Sequence, residues 1–120
     1  MNRWTLLKHQ LTKTNKLDFH YDFLLENGED CLTWKLSILP QLDEKPVEIL
    51  KQPNHRLIWL TRNKYQLSRD RGYVNKIDSG TYKLIYEDLK CDNFSLLLKG
   101  NLINAFFKKI DNLCYLVSLD

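Results

Sequence analysis

Apolar and polar residues alternate over several short stretches of the chain, and this alternation predicts β-strands. In Phe19–Glu26 every second residue is aromatic or leucine, and Cys31–Leu39 carries Leu32, Trp34, Leu36 and Ile38 at the same spacing. Successive side chains of a strand point to opposite faces, so each stretch would bury one face. The other predicted strands are Trp4–Lys8, Arg56–Leu60, Thr81–Glu87, Phe94–Leu98, Leu102–Lys109 and Leu113–Leu119.

Turn-forming residues separate these stretches. Asn27-Gly28 is a strong hairpin signal, and three further predicted turns are Asp78-Ser79-Gly80, Lys99-Gly100-Asn101 and Asp111-Asn112. Helical periodicity is weak, with Pro46–Lys51 and Lys64–Arg71 as the two candidate short helices, and Gln41–His55 is the longest polar connection. We predict a mainly β fold over residues 1–120, a single compact β-barrel domain of about seven to eight short strands with little helix; a β-sandwich is the alternative.

Composition narrows the class of protein. Apolar residues make up 43% of the chain and charged residues 28%, which excludes a disordered or low-complexity protein. A length of 120 residues suits one domain. No apolar run approaches the roughly 20 residues of a membrane helix, and the first residues lack the apolar core of a signal peptide. We therefore expect a cytoplasmic monomer without membrane contact.

Three cysteines, Cys31, Cys91 and Cys114, are spread along the chain without a CxxC pair. An odd number at this spacing indicates a reducing compartment rather than a disulfide framework. Cys31 and Cys114 have apolar neighbours, so both are expected to fill the core.

The net charge of +3 is modest, but basic residues cluster locally. The cluster lies between Arg56 and Lys76, where Trp59, Tyr65 and Tyr73 are interleaved with basic residues. This mixture suits phosphate contact and base stacking. Nucleic acid is therefore a candidate partner, and a solvated loop is the alternative. The candidate contact residues are Arg56, Arg62, Lys64, Arg69 and Arg71.

One face of the predicted strand Phe19–Glu26 carries polar chemistry. His20 and Asp22 share the face opposite the aromatic one, so an imidazole and a carboxylate can converge on one cation. With His9 from the preceding strand end, they form a possible set of three ligands for a divalent ion that activates water or binds a phosphoryl oxygen. The alternative is a solvated strand face with an incidental His–Asp contact.

Several other chemistries are not indicated. The chain contains no GxGxxG, GxxxxGK[ST] or GxSxG motif, which argues against a nucleotide-binding loop and an α/β-hydrolase. His55 lies in a polar stretch beside Arg56 and is interpreted as a surface residue.

The segment Lys8-His9, followed by His20-Tyr21-Asp22-Phe23-Leu24-Leu25-Glu26, resembles the opening of the 3′-phosphoesterase domain of bacterial ligase D. This family also occurs as small free-standing proteins. Six short motifs keep the family's order over nearly the whole chain. The later ones are Asn27-Gly28-Glu29-Asp30 with Trp34 and Pro40, Arg56-Leu57, Ile77–Tyr82, Phe94–Leu102 and Leu113–Val117.

The resemblance implies a compact β-barrel with a concave active site. The family removes 3′-terminal phosphates and ribonucleosides from DNA ends, usually with manganese, during end processing and repair. By motif position, His9, His20 and Asp22 would hold Mn²⁺ or another divalent cation, and His20, Asp22 and Arg56 would be catalytic. A ligase or another repair protein is the implied partner.

The chain also departs from the family. Its two histidines are eleven residues apart, where the family has six. Leu24 replaces a phosphate-binding Arg, Ile38 replaces a Lys, and the region of Arg62-Asn63-Lys64 lacks the family's downstream His. Losing these groups is expected to lower the rate by orders of magnitude, since charge stabilisation is usually the largest catalytic contribution. Arg62, Lys64 or His55 are the candidate replacements.

Three functions follow from these observations. The first is a metal-dependent 3′-phosphoesterase acting on DNA or RNA ends. The second is a catalytically degenerate relative that binds nucleic-acid ends without turnover. The third is a protein-interaction scaffold, which would bind neither metal nor nucleic acid.

Overall fold

A computed structural model describes residues 2–11, 17–67, 72–86, 89 and 91–120 of the protein. Most of these residues lie in antiparallel β-strands, as the alternation predicts. The described part of the chain contains ten strands, more than the seven to eight expected from the sequence. The strands are β1 (Arg3–Gln10), β2 (Phe19–Asn27), β3 (Asp30–Leu36), β4 (Val47–Glu48), β5 (Leu50–Arg56), β6 (Lys64–Gln66), β7 (Tyr73–Tyr86), β8 (Phe94–Gly100), β9 (Asn104–Ile110) and β10 (Leu113–Val117).

All ten strands belong to one sheet. Nine of them follow the order β4-β10-β9-β8-β7-β1-β2-β3-β5, and β6 pairs with β7 off this path. The strands at the two ends of this order, β4 and β5, are consecutive in the chain and are joined by Ile49, which is buried and donates its backbone N–H to the Asn112 carbonyl at 2.8 Å. The sheet is therefore a nearly closed barrel, in which the chain itself links the two edges.

The extra strands lie where the sequence predicts a polar connection. Gln41–His55 contains β4 and most of β5, so Pro46–Lys51 is not a helix. The predicted strand Arg56–Leu60 is also wrong, because Leu57–Leu60 forms a 3₁₀ helix. Of the other candidate helix, Lys64–Gln66 is strand β6, and Arg69 and Arg71 lie outside the described residues.

The predicted turns divide into two groups. Asn27-Gly28 lies in a β2–β3 hairpin in which Asn27 pairs with Asp30 and Gly28 has a positive φ of 74°, and Asp111-Asn112 is the turn between β9 and β10. Of the predicted turn Lys99-Gly100-Asn101, the first two residues end β8 and Asn101 begins the connection to β9. In contrast, Asp78-Ser79-Gly80 lies inside the 14-residue strand β7. This strand crosses the barrel and pairs with β1 through its first part and with β8 through its second.

The inner face of the sheet encloses the main core. It is built from aliphatic and aromatic side chains of β1, β2, β3 and β7–β10, as the alternation predicts. The buried members are Trp4, Leu6, Phe23, Leu25, Trp34, Leu36, Ile49, Tyr82, Phe94, Leu96, Leu98, Ala105, Phe107, Cys114 and Leu116.

A second, smaller core lies on the outer face of the sheet. Leu7 and Leu24 are buried there against Leu60 of the 3₁₀ helix, together with Cys31 and Val74. Cys31 and Cys114 are both fully buried, which confirms their predicted role in packing. In the described part of the chain, no helix is long and apolar enough to cross a membrane.

Candidate metal centre

The three predicted metal ligands lie together on the outer face of β1 and β2. In the antiparallel register His9 is directly opposite His20, and Leu7 is opposite Asp22. Directly opposed side chains are about 5 Å apart at Cβ, and the side chain two residues along lies on the same face. The pairing of two adjacent strands therefore brings all three ligands to one place.

The longer spacing between the two histidines does not disturb this register. The hairpin continues beyond the His9–His20 pair, where the Leu11 N–H donates to the Asp18 carbonyl at 2.8 Å. The His9–His20 pair is therefore part of a continuous antiparallel register that extends to Leu11 and Asp18.

The ligand atoms of His9, His20 and Asp22 all lie within 4.8 Å of one another. The two imidazole rings meet edge to face with centroids 4.9 Å apart, and His20 Nε2 lies 3.1 Å from Asp22 Oδ1. Atoms bound to one ion at about 2.1 Å can be at most about 4.2 Å apart, so a small side-chain rotation would complete the set. Two imidazoles and one carboxylate suit a divalent transition metal with positions left for water or substrate.

The surroundings of the three candidate ligands shield them partly from solvent. The side chains of His20 and Asp22 are only 20% and 10% exposed. Leu24, next on the same face, is fully buried beneath the 3₁₀ helix. The 3₁₀ helix covers the face beyond the carboxylate and leaves the three ligands at the edge of the covered area.

The ligands form one wall of a cleft of about 380 Å³. The cleft is also lined by residues of β5 and of the 3₁₀ helix, which are Gln52, Pro53, Asn54, His55, Arg56 and Trp59. His55 Nδ1 lies 3.2 Å from the Pro53 carbonyl oxygen, a contact that suits a protonated Nδ1 and leaves Nε2 as the acceptor nitrogen. Arg56 is exposed at the cleft, so the predicted catalytic cation is near the predicted metal ligands.

Sequence reasoning missed the contribution of β5. His55 is half-buried and lines the cleft, although its polar surroundings in sequence suggest a surface residue. Gln52 and Asn54 also line the cleft, but the sequence places them in a polar connection and gives no sign of a role for them. No apolar alternation marks β5, since it is an edge strand with both faces largely exposed.

Lys35 is a second cation beside the ligands that sequence reasoning missed. It is the cross-strand partner of Asp22 on β3, and it lines a smaller pocket together with His20. The alternation of Leu32, Trp34 and Leu36 could have placed Lys35 on the outer face. The two positions at which the family carries Arg and Lys are apolar in this chain. Leu24 is buried, and Ile38 is exposed.

The predicted nucleic-acid contacts are only partly brought together. The Arg62 guanidinium lies 4.8 Å from the Trp59 ring centroid and 4.0 Å from that of Tyr65, and the two rings meet edge to face at 5.4 Å. Trp59 also lines the cleft, so the cluster of Trp59, Arg62 and Tyr65 lies next to the cleft that contains the candidate metal ligands. Lys64 is exposed on β6, and Arg69 and Arg71 lie outside the described residues.

Comparison of the chain with models of known protein families and with curated proteins finds no match.

Proposed function

We propose that the protein is a divergent, divalent-metal-dependent phosphoesterase that acts on the 3′ ends of DNA or RNA. The observation that carries the proposal is the convergence of His9, His20 and Asp22, from two strands, at the edge of a cleft. By motif position, these three residues also match the metal ligands of the 3′-phosphoesterase domain of ligase D, which the sequence resembles. End processing in repair, with a ligase as partner, follows from the same resemblance.

The residues around the ligands suit this chemistry. His9, His20 and Asp22 would hold Mn²⁺ or a similar ion, which when bound supplies Lewis acidity and lowers the pKa of a bound water. Arg56, which lines the same cleft, would neutralise a phosphate oxygen. The acceptor nitrogen of His55 and the Lys35 ammonium provide further polar groups near the ligands, where the family's Arg and His are missing.

The aromatic cluster beside the cleft favours a nucleotide over a smaller phosphoester. Arg62 lies against Trp59 and Tyr65, and a planar base can stack on such a surface. The same cluster supports a second candidate function, binding of nucleic-acid ends without turnover. Leu24 and Ile38, which replace two cations of the family, also favour this second function.

The test is release of inorganic phosphate from a DNA primer-template carrying a 3′-phosphate, in the presence of Mn²⁺. We expect turnover by the wild type and its loss, by at least about 10³-fold, in Asp22→Asn and His20→Ala. Asp120→Asn, which changes an exposed terminal residue in the same way, is the matched control and should keep full activity.

Binding measurements distinguish the two candidates when no phosphate is released. Trp4 and Trp34 are almost fully buried, so quenching of tryptophan fluorescence by a 3′-phosphorylated oligonucleotide would report Trp59. Quenching that weakens with salt and disappears in Trp59→Phe would support end binding without catalysis. Absence of both turnover and binding would contradict both candidates and leave the interaction scaffold.

A further inference from the structure

A cavity of about 280 Å³ lies inside the barrel, away from the metal centre. It is lined by inner-face side chains, whereas the three ligands lie on the outer face of the same strands. Its wall includes Leu6, Phe23, Leu36, Leu98 and Phe107. The barrel interior is therefore incompletely filled by its own side chains at this end.

The described lining of the cavity is almost entirely apolar, and the polar side chains in it are those of Asp78 and the exposed Gln41. Asp78 is the one charged residue among the described lining residues, and its carboxylate is fully occupied. Oδ1 accepts the N–H groups of Ser79 and Asn101, and Oδ2 accepts those of Leu102 and Ile103, at 2.7–3.0 Å. A buried carboxylate without a facing cation disfavours an anionic ligand, and its four existing hydrogen bonds leave little attraction for a cation.

The cavity has an apolar mouth and an anchored wall. Leu42 and Leu102 both line it and are 52% and 75% exposed. The segment that carries Leu42 is held to β10, because the Asp43 N–H donates to the Leu116 carbonyl at 2.9 Å and Asp43 Oδ1 accepts the Ser118 N–H at 2.9 Å. The wall is thus fixed by hydrogen bonds that do not require the cavity to be filled.

We propose that this cavity binds a neutral, apolar small molecule. An apolar cavity of about 150 Å³ holds benzene, so 280 Å³ suits a compound of roughly ten to twelve carbon atoms. The site is separate from the metal centre and does not depend on the proposed phosphoesterase function.

The test uses naphthalene, a neutral probe of suitable size, in an NMR titration of the leucine methyl groups. We expect saturable shifts at Leu6, Leu36 and Leu98, which line the cavity, and none at Leu24 and Leu60, which are packed on the outer face. The anion 2-naphthoate has nearly the same shape and should bind at least tenfold more weakly.

A variant that fills the cavity provides a second test of the proposal. Leu98→Phe is expected to weaken naphthalene binding at least tenfold, and the same change at the exposed Leu119 should not affect it. If Leu98→Phe does not fold, the comparison of naphthalene with 2-naphthoate on the wild type still tests whether the cavity binds a neutral ligand. Absence of saturable shifts at the cavity leucines, or equal binding of the neutral probe and the anion, would overturn the proposal.

Discussion

His9 and His20 lie directly opposite each other on β1 and β2, with ring centroids 4.9 Å apart and the Asp22 carboxylate on the same face. This relationship depends on the strand register, because a shift by one residue would send one imidazole into the barrel interior. The candidate metal centre is therefore a direct product of β1–β2 pairing.

The first prediction concerns metal affinity. His9→Ala and His20→Ala should each weaken Mn²⁺ binding at least about tenfold, because each removes one of three protein ligands. Isothermal titration calorimetry with Mn²⁺ checks this without reference to any substrate. His55→Ala is the matched control and should change the affinity little, since His55 lies outside the three-ligand group. Wild-type affinity in His9→Ala would show that the histidine pair does not bind the ion.

The second prediction concerns Asp78, whose carboxylate accepts four backbone N–H groups from β7 and from the residues that follow β8. Asp78→Asn places an amide N–H₂ against these donors, so we expect a loss of about 2 to 4 kcal/mol in the free energy of unfolding. Urea denaturation measures it. Asp92→Asn, at an exposed position, should stay within about 0.5 kcal/mol of the wild type. Similar costs for both variants would contradict the structural role given to Asp78.

The third prediction concerns the dependence of stability on pH. The Arg3 guanidinium donates two hydrogen bonds to the Glu26 carboxylate, at 3.0 and 2.8 Å, and holds the pKa of Glu26 below its ordinary value of about 4.5. Ionised Glu26 therefore stabilises the fold above about pH 4.5, and this contribution is lost as the pH falls through the lowered pKa.

Comparison of the wild type with Glu26→Gln tests this dependence. Because the Arg3 side chain is 37% exposed, water screens the pair, and we expect the wild type to be more stable by only about 1 kcal/mol at pH 7. The difference should shrink below pH 4.5 in urea denaturation. A difference that persists unchanged at pH 2 would mean that the ion pair is not its source.

The fourth prediction concerns the three thiols. Burial raises the pKa of Cys31 to about 11 and that of Cys114 to about 12, whereas Cys91 is exposed. At pH 8 a disulfide reagent should therefore modify one thiol quickly in the native protein and all three after denaturation. Cys91→Ser should abolish the fast phase, and a fast phase that survives in this variant would contradict the burial of the other two.

The mainly β fold could be predicted because most strands bury one face. Phe19–Glu26 and Phe94–Leu98 alternate clearly, and both are strands of the sheet. The shared face of His20 and Asp22 could be predicted for the same reason, since period-two spacing determines which side chains of a strand share a face, whereas the place of His9 depends on the β1–β2 register.

The long strand β7 and the 3₁₀ helix could not be predicted, because contacts with distant parts of the chain determine them. Asp78-Ser79-Gly80 has the composition of a turn, but the Asp78 carboxylate is satisfied by backbone groups from another loop, and the strand continues. Gly80 is required inside β7 because a Cβ there would lie 1.7 Å from the Lys99 carbonyl oxygen. The apolar stretch at Leu57–Leu60 forms a 3₁₀ helix that covers the outer core, and an apolar run alone does not reveal its partner.

The link through Ile49 between the two edges of the sheet also bears on self-association. An exposed sheet edge invites another chain to add a strand, and this is a common route to aggregation. Here one edge, β4, has only two residues, and the other, β5, contains Pro53, which has no N–H to donate. Although hydrogen bonds do not close the barrel completely, the strands at its two ends therefore offer another molecule few backbone groups with which to pair.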